Sequence, residues 1–351
     1  MRHLLDPTCD LESWLADNGQ PGYRAAQLRQ WIYQKRAGSF QGMENVPKSL
    51  RTQLDEEFQI WTTQVVRHQQ AEDGTEKLLL SLADRGTMEC VLLRDGLRRT
   101  ICVSSQVGCA MGCVFCASGL NGVQRNLTCG EIVEQMLRLQ QLLETGERLS
   151  HVVVMGMGEP LANLDALLPS LQIASHQDGL GISTRRITIS TVGLPKAIQR
   201  LVELKTGYHL AVSLHAPDDS LRNQLVPVNK NIGLHQILSA SDKYFEASGR
   251  RLTFEYVLLS ELNDREHHAQ KLSRLLQGRS ALVNLIPYNP VAGLPYRCPT
   301  TKAVGRFREI LQQHGLNVQV RQRKGDEIQA ACGQLRRENL QIIGKPAADN
   351  Q

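Results

Sequence analysis

One rhythm restricts this fold more than any other feature of the sequence. From Thr100 to Val320, short β-forming runs alternate with longer amphipathic stretches. Residues 100–105 are followed by 128–143, 151–155 by 164–174, 186–190 by 194–204, 209–214 by 218–225, 252–258 by 264–276 and 283–286 by 302–314, with a last strand expected at 317–320. Period-two runs alternating with helical ones build parallel strands joined by helical crossovers. Six such units predict an α/β fold, either a partial barrel or an open doubly wound sheet. In both, reactive side chains belong at the carboxyl ends of the strands.

The first hundred residues read differently. Residues 1–61 are expected to be helical: apolar positions recur three and four apart over 23–35, and Pro47 suits the start of a helix over 48–58. Over 62–98, β-forming runs at 77–82 and 87–93 are bounded by Asp73-Gly74, Arg85-Gly86 and Asp95-Gly96, which predicts hairpins joining two domains. The expected division is a helical module (1–61), a β-hairpin linker (62–98), the series of strands and helices with its C-terminal segment (99–344) and a polar tail (345–351).

With 41% hydrophobic and 21% charged residues among 351, the chain has the means to bury a core, which excludes a disordered class. It has no run of about 18 apolar residues and no apolar signal region near Met1, so a cytoplasmic protein without a membrane partner is expected. In a reducing compartment its nine cysteines serve as ligands or nucleophiles rather than as a disulfide framework. The net charge of +5 is modest but clustered. Residues 22–51 carry six basic side chains against one acidic, and 301–340 carry eight against four, including Arg321, Arg323, Lys324, Arg336 and Arg337. The second group, with Arg98-Arg99, Arg185-Arg186 and Arg250-Arg251, is expected around the cavity, where it suits phosphate contacts, and the first is a local face of the helical module that suits nucleic acid.

Directly after the first strand of the series stands Cys109-Ala110-Met111-Gly112-Cys113-Val114-Phe115-Cys116. Three soft ligands on one loop lack the fourth that structural zinc usually takes, whereas an iron–sulfur cube held by three thiolates keeps one iron open to a small molecule. Zinc remains the alternative. At the second strand end, Met155-Gly156-Met157-Gly158-Glu159-Pro160 offers glycines that let backbone approach a ligand and a carboxylate for an amine or a ribose hydroxyl.

The C-x3-C-x2-C loop with Phe115 before its last cysteine resembles the radical S-adenosylmethionine superfamily. That resemblance implies a partial (β/α)6 barrel, a 4Fe-4S cluster on Cys109, Cys113 and Cys116, and S-adenosylmethionine on the open iron. Further matches narrow it: Cys102-Val103-Ser104-Ser105-Gln106-Val107-Gly108, Arg125-Asn126-Leu127-Thr128, Ser213-Leu214-His215, Asn284-Leu285-Ile286-Pro287-Tyr288-Asn289-Pro290, Ala330-Ala331-Cys332-Gly333-Gln334-Leu335, and Arg24-Ala25-Ala26-Gln27 in the helical module. Together they are similar to the RlmN/Cfr family of ribosomal RNA adenosine methyltransferases over nearly the whole chain.

The resemblance implies a covalent route to an electrophilic ring carbon that ordinary displacement cannot methylate. Cys332 accepts the methyl group and joins the ring, Cys102 resolves the adduct by attack on the Cys332 sulfur with disulfide formation, and Glu89 accepts the ring proton. Two S-adenosylmethionine molecules are consumed per turnover. Gly158, Glu159, Ser190, Ser213, Leu214, His215 and Asn289 are implied cofactor contacts, and Cys9, Cys90, Cys129 and Cys298 are expected to be structural. Implied partners are 23S rRNA, tRNA beside the anticodon, and an electron donor such as flavodoxin or ferredoxin; a monomer is expected. The run 286–290 is similar to the RlmN branch, which implies carbon 2 of adenine rather than carbon 8. An enzyme that only abstracts hydrogen would not need Cys332 and Cys102 together, and a zinc-stabilised RNA-binding protein would need neither.

Overall fold

A computed structural model describes residues 1–335, so Arg336, Arg337 and the 345–351 tail lie outside the described residues. The first 60 residues form a helical unit whose ends are tied by a parallel pair, β1 (Arg2–His3) with β2 (Phe58–Gln59). Between them run α1 (Leu11–Asp17), α2 (Tyr23–Arg29), a π-helical turn over Gln30–Gln34, and α3 (Lys48–Glu57). Asp10 caps α1 by accepting from the Ser13 amide, and Pro47 directly precedes α3. Leu28, Met43, Leu50 and Leu54 make the centre of this unit, and its apolar cluster continues into Cys129, Val133 and Leu137 of α4 (Cys129–Gln140). The seam is also polar: buried Glu134 accepts from the amides and hydroxyls of Thr62 and Thr63 at 2.5–2.9 Å.

The segment expected to link two domains instead extends the main sheet. Strands β3 (Gln64–Gln70), β4 (Glu76–Ser81), β5 (Thr87–Asp95) and β6 (Arg98–Cys102) are antiparallel neighbours. A hairpin, β7 (Gln106–Gly108) with β8 (Val123–Asn126), then frames the cysteine loop. From β6 the sheet runs parallel through β9 (His151–Val154), β10 (Ile187–Thr191), β11 (His209–Ser213), β12 (Leu252–Leu258), β13 (Ala281–Pro287) and β14 (Asn317–Val320). Hairpin periodicity looks the same whether its strands stand apart or join a larger sheet, so sequence pattern alone misses the continuation.

Strand order is strictly sequential, with no reversal point, so the sheet is not doubly wound. Crossovers of one hand then set every helix on one face, as in a partial barrel. The crossovers carry α4, α5 (Leu164–Ser175), α6 (Pro195–Glu203), α7 (Asp219–Leu225), α8 (Leu234–Ser248), α9 (Glu266–Leu276) and α10 (Thr301–Gln313). Register shows the division of labour between the two faces. Ile101, Val152 and Ile187 form one row, Val154, Ile189 and Leu210 a second, and Val212, Phe254 and Val283 a third, all buried in the main core with the helices. The opposite face carries Cys102, Val153, Thr188 and His209 in one row and Ser213, Glu255, Asn284 and Gln319 in another. A strand with one oily face and one polar face borders a cavity, which a strand covered by helices on both sides cannot do.

Two further expectations are corrected. The 15-residue α8 was not foreseen; it begins after Gly233 without a side-chain cap and has three serines inside it, all poor helix signals. Two of the arginine pairs do not ring the cavity: Arg185-Arg186 precede β10 and Arg250-Arg251 precede β12, at the amino ends of those strands, whereas Arg98 lines a cavity with Arg321, Arg323, Lys324 and Cys332. Arg98-Arg99 open β6, and Arg99 pairs with Glu147. Among the described residues, no helix is long and apolar enough to cross a membrane.

Candidate active site

The cysteine loop is held at both ends. Gly108 closes β7 at φ +81°, where an added Cβ would lie 2.0 Å from the Gly122 carbonyl oxygen, so glycine is required. The Cys109 amide donates to that same oxygen at 3.0 Å, the Val114 amide to Leu225 O at 3.1 Å, and the Ala117 amide to Gly333 O at 2.8 Å. Cys109, Cys113 and Cys116 line one cavity. Burial pushes all three thiols up, Cys109 to about 12, so metal must displace their protons. A cube takes one thiolate on each of three irons, and this donor set fits that demand. Phe115 meets the His215 ring edge-on at 5.0 Å, which accounts for the aromatic before the last cysteine.

The strand ends bring their expected residues to the same cavity. Gly158, Glu159, Ser190, Ser213, His215, Asn289 and Cys332 all line it. The glycines of 156–160 are there for protein backbone: a Cβ on Gly156 would lie 2.8 Å from the Ser104 amide nitrogen, and one on Gly158, at φ +103°, 2.8 Å from that of Gln106. Gln106 Oε1 accepts from the Glu159 amide, while Glu159 accepts from the amides of Leu161 (3.0 Å) and Val192 (2.8 Å). Burial pushes its carboxyl up to about 7, which favours a cationic partner. His215, at φ +60°, accepts from the Val257 amide through Nδ1, and burial then Arg222 push it down to about 3, so it is neutral. Leu214 differs from expectation: its side chain is in the core, and its amide donates to Glu255 O. Two buried acceptors facing this space, Asn289 Oδ1 and Glu255 Oε2, have no hydrogen-bond donor. The ammonium, hydroxyl and amino groups of S-adenosylmethionine supply donors of that kind, so the lining fits the cofactor.

Cys332 lines this cavity, and Cys102 lies on the neighbouring inner row of the sheet. Asn289 Nδ2 donates to Cys332 O at 3.0 Å, and Cys332 lies beside both Cys116 and Cys102. Burial, then Cys332, pushes the Cys102 thiol up to about 12, and all nine cysteines are free. Glu89 stands apart from the cavity lining, 1% exposed on the inner face of β5 and paired with Lys77 Nζ at 2.7 Å. Cys90 packs in the main core and Cys129 in the seam with the helical unit.

Sequence reading missed several contributors. Arg321, placed with the RNA-facing basic residues, lies instead beside Cys332, Glu255 and Cys102, which raise its guanidinium above the ordinary range. Fully buried Arg222 donates to Leu214 O, Asn229 Oδ1, Val192 O and Ser213 O. Neither carries a sequence signal, since a charged residue in a helix or after a strand is usually solvated.

Residues 103–272 match the Radical SAM superfamily, and residues 4–60 match the ribosomal RNA large subunit methyltransferase N-terminal domain. A probable dual-specificity RNA methyltransferase RlmN of Rhodopirellula baltica is 62% identical over 341 residues, covering 97% of this chain and 92% of that one. The chain belongs to the RlmN family. The corresponding RlmN protein of Thermosynechococcus vestitus is 47% identical over 94% of this chain and 97% of its own. A radical SAM methyltransferase from Sphaerobacter thermophilus superposes with a TM-score of 0.92 at 42% identity, over 96% and 99% of the two chains. As an RlmN-family member the chain is a radical S-adenosylmethionine RNA methyltransferase, and its family implies a 4Fe-4S cluster and S-adenosylmethionine as cofactors.

Proposed function

We propose that this protein methylates carbon 2 of adenosine in the peptidyl transferase centre of 23S rRNA and beside the anticodon of tRNA. Cys332 is the methyl carrier, Cys102 the resolving thiol and Glu89 the proton acceptor. The observation that carries this reading is the placement of Cys332 in the cavity of the three cluster cysteines, with Cys102 beside it. When bound, the cluster and two S-adenosylmethionine molecules per turnover supply the methyl group and the hydrogen-abstracting radical. Cysteines 109, 113 and 116 would hold the cluster; Gly158, Glu159, Ser190, Ser213, His215 and Asn289 would hold the cofactor.

The chain's own groups do the rest. Cys332 lies on a segment whose carbonyls at Cys332 and Gly333 are fixed by Asn289 and Ala117. Resolution needs the Cys102 thiolate, and burial opposes its formation; the Arg321 guanidinium is the cation that offsets this cost. Once the adduct has lost its odd electron and its ring proton, the Cys102 thiolate attacks the Cys332 sulfur: the S–S bond forms as the bond from that sulfur to the ring-borne carbon breaks, the carbon keeps the electron pair and takes a proton to become the methyl group, and a reductant must reopen the disulfide before the next cycle. The target base has to leave its stack to reach a cavity this enclosed, which favours looped RNA. The basic stretch 22–51 within the helical unit suits the RNA backbone. The relatives carry the RlmN name, which supports the RlmN branch, and the resemblance to that branch implies carbon 2. A one-electron donor such as flavodoxin or ferredoxin would serve a monomeric enzyme in the cytoplasm.

The test is anaerobic turnover with methyl-labelled S-adenosylmethionine and an rRNA fragment. Cys332→Ala should carry no protein-bound label, whereas Cys102→Ala should trap a protein–RNA adduct. Undiminished RNA methylation in either variant overturns the two-thiol reading.

A further inference from the structure

The segment after β14 crosses the open side of the barrel as a strap, reaching from the last parallel strand to the antiparallel hairpins. The Gly325 amide donates to Asp73 Oδ2 at 2.9 Å, Lys324 Nζ to Arg94 O at 2.9 Å, and the Glu72 amide to Glu327 Oε2 at 3.3 Å. Inside these surface ties is a buried one: Lys77 Nζ donates to Gln329 O at 3.2 Å and pairs with Glu89 Oε1 at 2.7 Å. Gln329 is three residues from Cys332 and is held at φ +52°, which a non-glycine residue adopts only when its surroundings impose it. One lysine therefore touches both the carboxylate and the stretch of chain that carries the thiol.

Register explains how they meet. Lys77 opposes Val91 and Leu79 opposes Glu89, so Lys77 and Glu89 are diagonal neighbours on one face of the sheet. Val91 opposes Cys102, which puts the resolving cysteine on that same face, one strand over. Lys77 and Glu89 are both almost fully enclosed. A buried ion pair adds little net stability over two apolar side chains of equal size, so packing alone does not account for a lysine and a glutamate between Leu79 and Val91.

We propose that Lys77 is a positioning residue of the methyl-transfer reaction, keeping the Glu89 carboxylate charged and aimed while tethering it to the strap that presents Cys332. This rests on Glu89 as the proton acceptor. Any movement of Cys332 between the cofactor and the base pulls on Gln329 and so on Lys77. The proton acceptor and the methyl carrier are thereby coupled by a single ammonium group.

Two measurements on the full chain test this. In the anaerobically loaded enzyme with labelled S-adenosylmethionine and an rRNA fragment, Lys77→Met should methylate Cys332 yet release the RNA adduct roughly tenfold more slowly, as a lost charge-assisted hydrogen bond implies. In the reduced protein without cofactor, alkylation of Cys332 by iodoacetamide, read by peptide mass spectrometry, should rise roughly tenfold for the same reason. Lys77→Gln serves if the methionine variant fails to fold: its side chain is one atom shorter and uncharged, so both contacts are lost, release should again be slow and alkylation should again rise. Lys77→Arg should restore release. Wild-type release and alkylation in Lys77→Met or Lys77→Gln, with Glu89→Gln stalled at the adduct, overturn the role of Lys77 and leave Glu89 standing. Wild-type release in Glu89→Gln instead removes the proton acceptor on which the proposal rests.

Discussion

Replacing Arg222 by methionine keeps an unbranched apolar stem, shortens the side chain and removes every donor. Its guanidinium now satisfies four oxygens at 2.5–3.0 Å: Val192 O after β10, Ser213 O and Leu214 O at the end of β11, and Asn229 Oδ1. Each buried oxygen left without a donor costs about 1–3 kcal/mol. Relief of the desolvated charge, seen in a guanidinium lowered to about 10 by burial, returns part of this. A net loss of about 3–5 kcal/mol is expected, typical of breaking a buried charged network. Against a total of about 5–15 kcal/mol the chain stays folded, but its urea midpoint should fall by roughly 1 M or more. The site should suffer as well, because Val192 also donates to Glu159 and His215 follows Leu214 directly. Urea unfolding followed by circular dichroism gives the first number, and calorimetric titration of the loaded enzyme with S-adenosylmethionine should show at least a tenfold weaker affinity. Arg222→Lys should recover only part of either, since one ammonium cannot span four acceptors. A stability loss below about 1 kcal/mol with unchanged affinity would refute the clamp.

Glu159, raised to about 7 by burial, must be ionised to hold a cation, so affinity for S-adenosylmethionine should fall up to tenfold per unit as pH drops below 7, and Glu159→Gln should abolish that slope. Because its folded value exceeds the ordinary 4.5, the ligand-free protein should lose stability as pH rises from about 4.5 through 7, measurable by urea titration at each pH. Gly158→Ala forces a side chain into φ +103° and against Gln106; titration should show cofactor binding lost while the iron content of the loaded protein persists. Glu134→Leu leaves the Thr62 and Thr63 amides without their acceptor, so limited proteolysis should cut near residues 57–63 at least tenfold faster while the barrel survives.

Much of the site was legible because strand ends carry it. Cys109, Cys113, Cys116, Glu159, Ser190, Ser213, His215 and Asn289 sit at or just after strand termini that periodicity locates, and the sheet gathers them on one cavity. The Leu214 side chain turns to the core rather than the cavity because adjacent residues at a strand end point to opposite faces. The buried pair of Lys77 with Glu89, and Arg222 beneath the loops, were illegible for another reason: a charge in a sequence says nothing about the partner that lets it be buried. Three-dimensional register, not local pattern, brings residues 77 and 89 together. The helix α8 failed on propensity, since its apolar positions at Leu234, Ile237, Leu238 and Tyr244 find their partners only against the rest of the core.

The one-sided packing of the barrel separates cohesion from chemistry. Because the convex rows of isoleucine, valine and leucine meet the helices, the concave rows are not needed to hold the strands together. Exchanges at Thr188, Thr253 or Gln319 are therefore free to reshape what the hollow accommodates while the scaffold stands. Variation among homologous enzymes should collect at those positions of the hollow that touch neither cofactor nor thiol before it reaches the strands' outer rows.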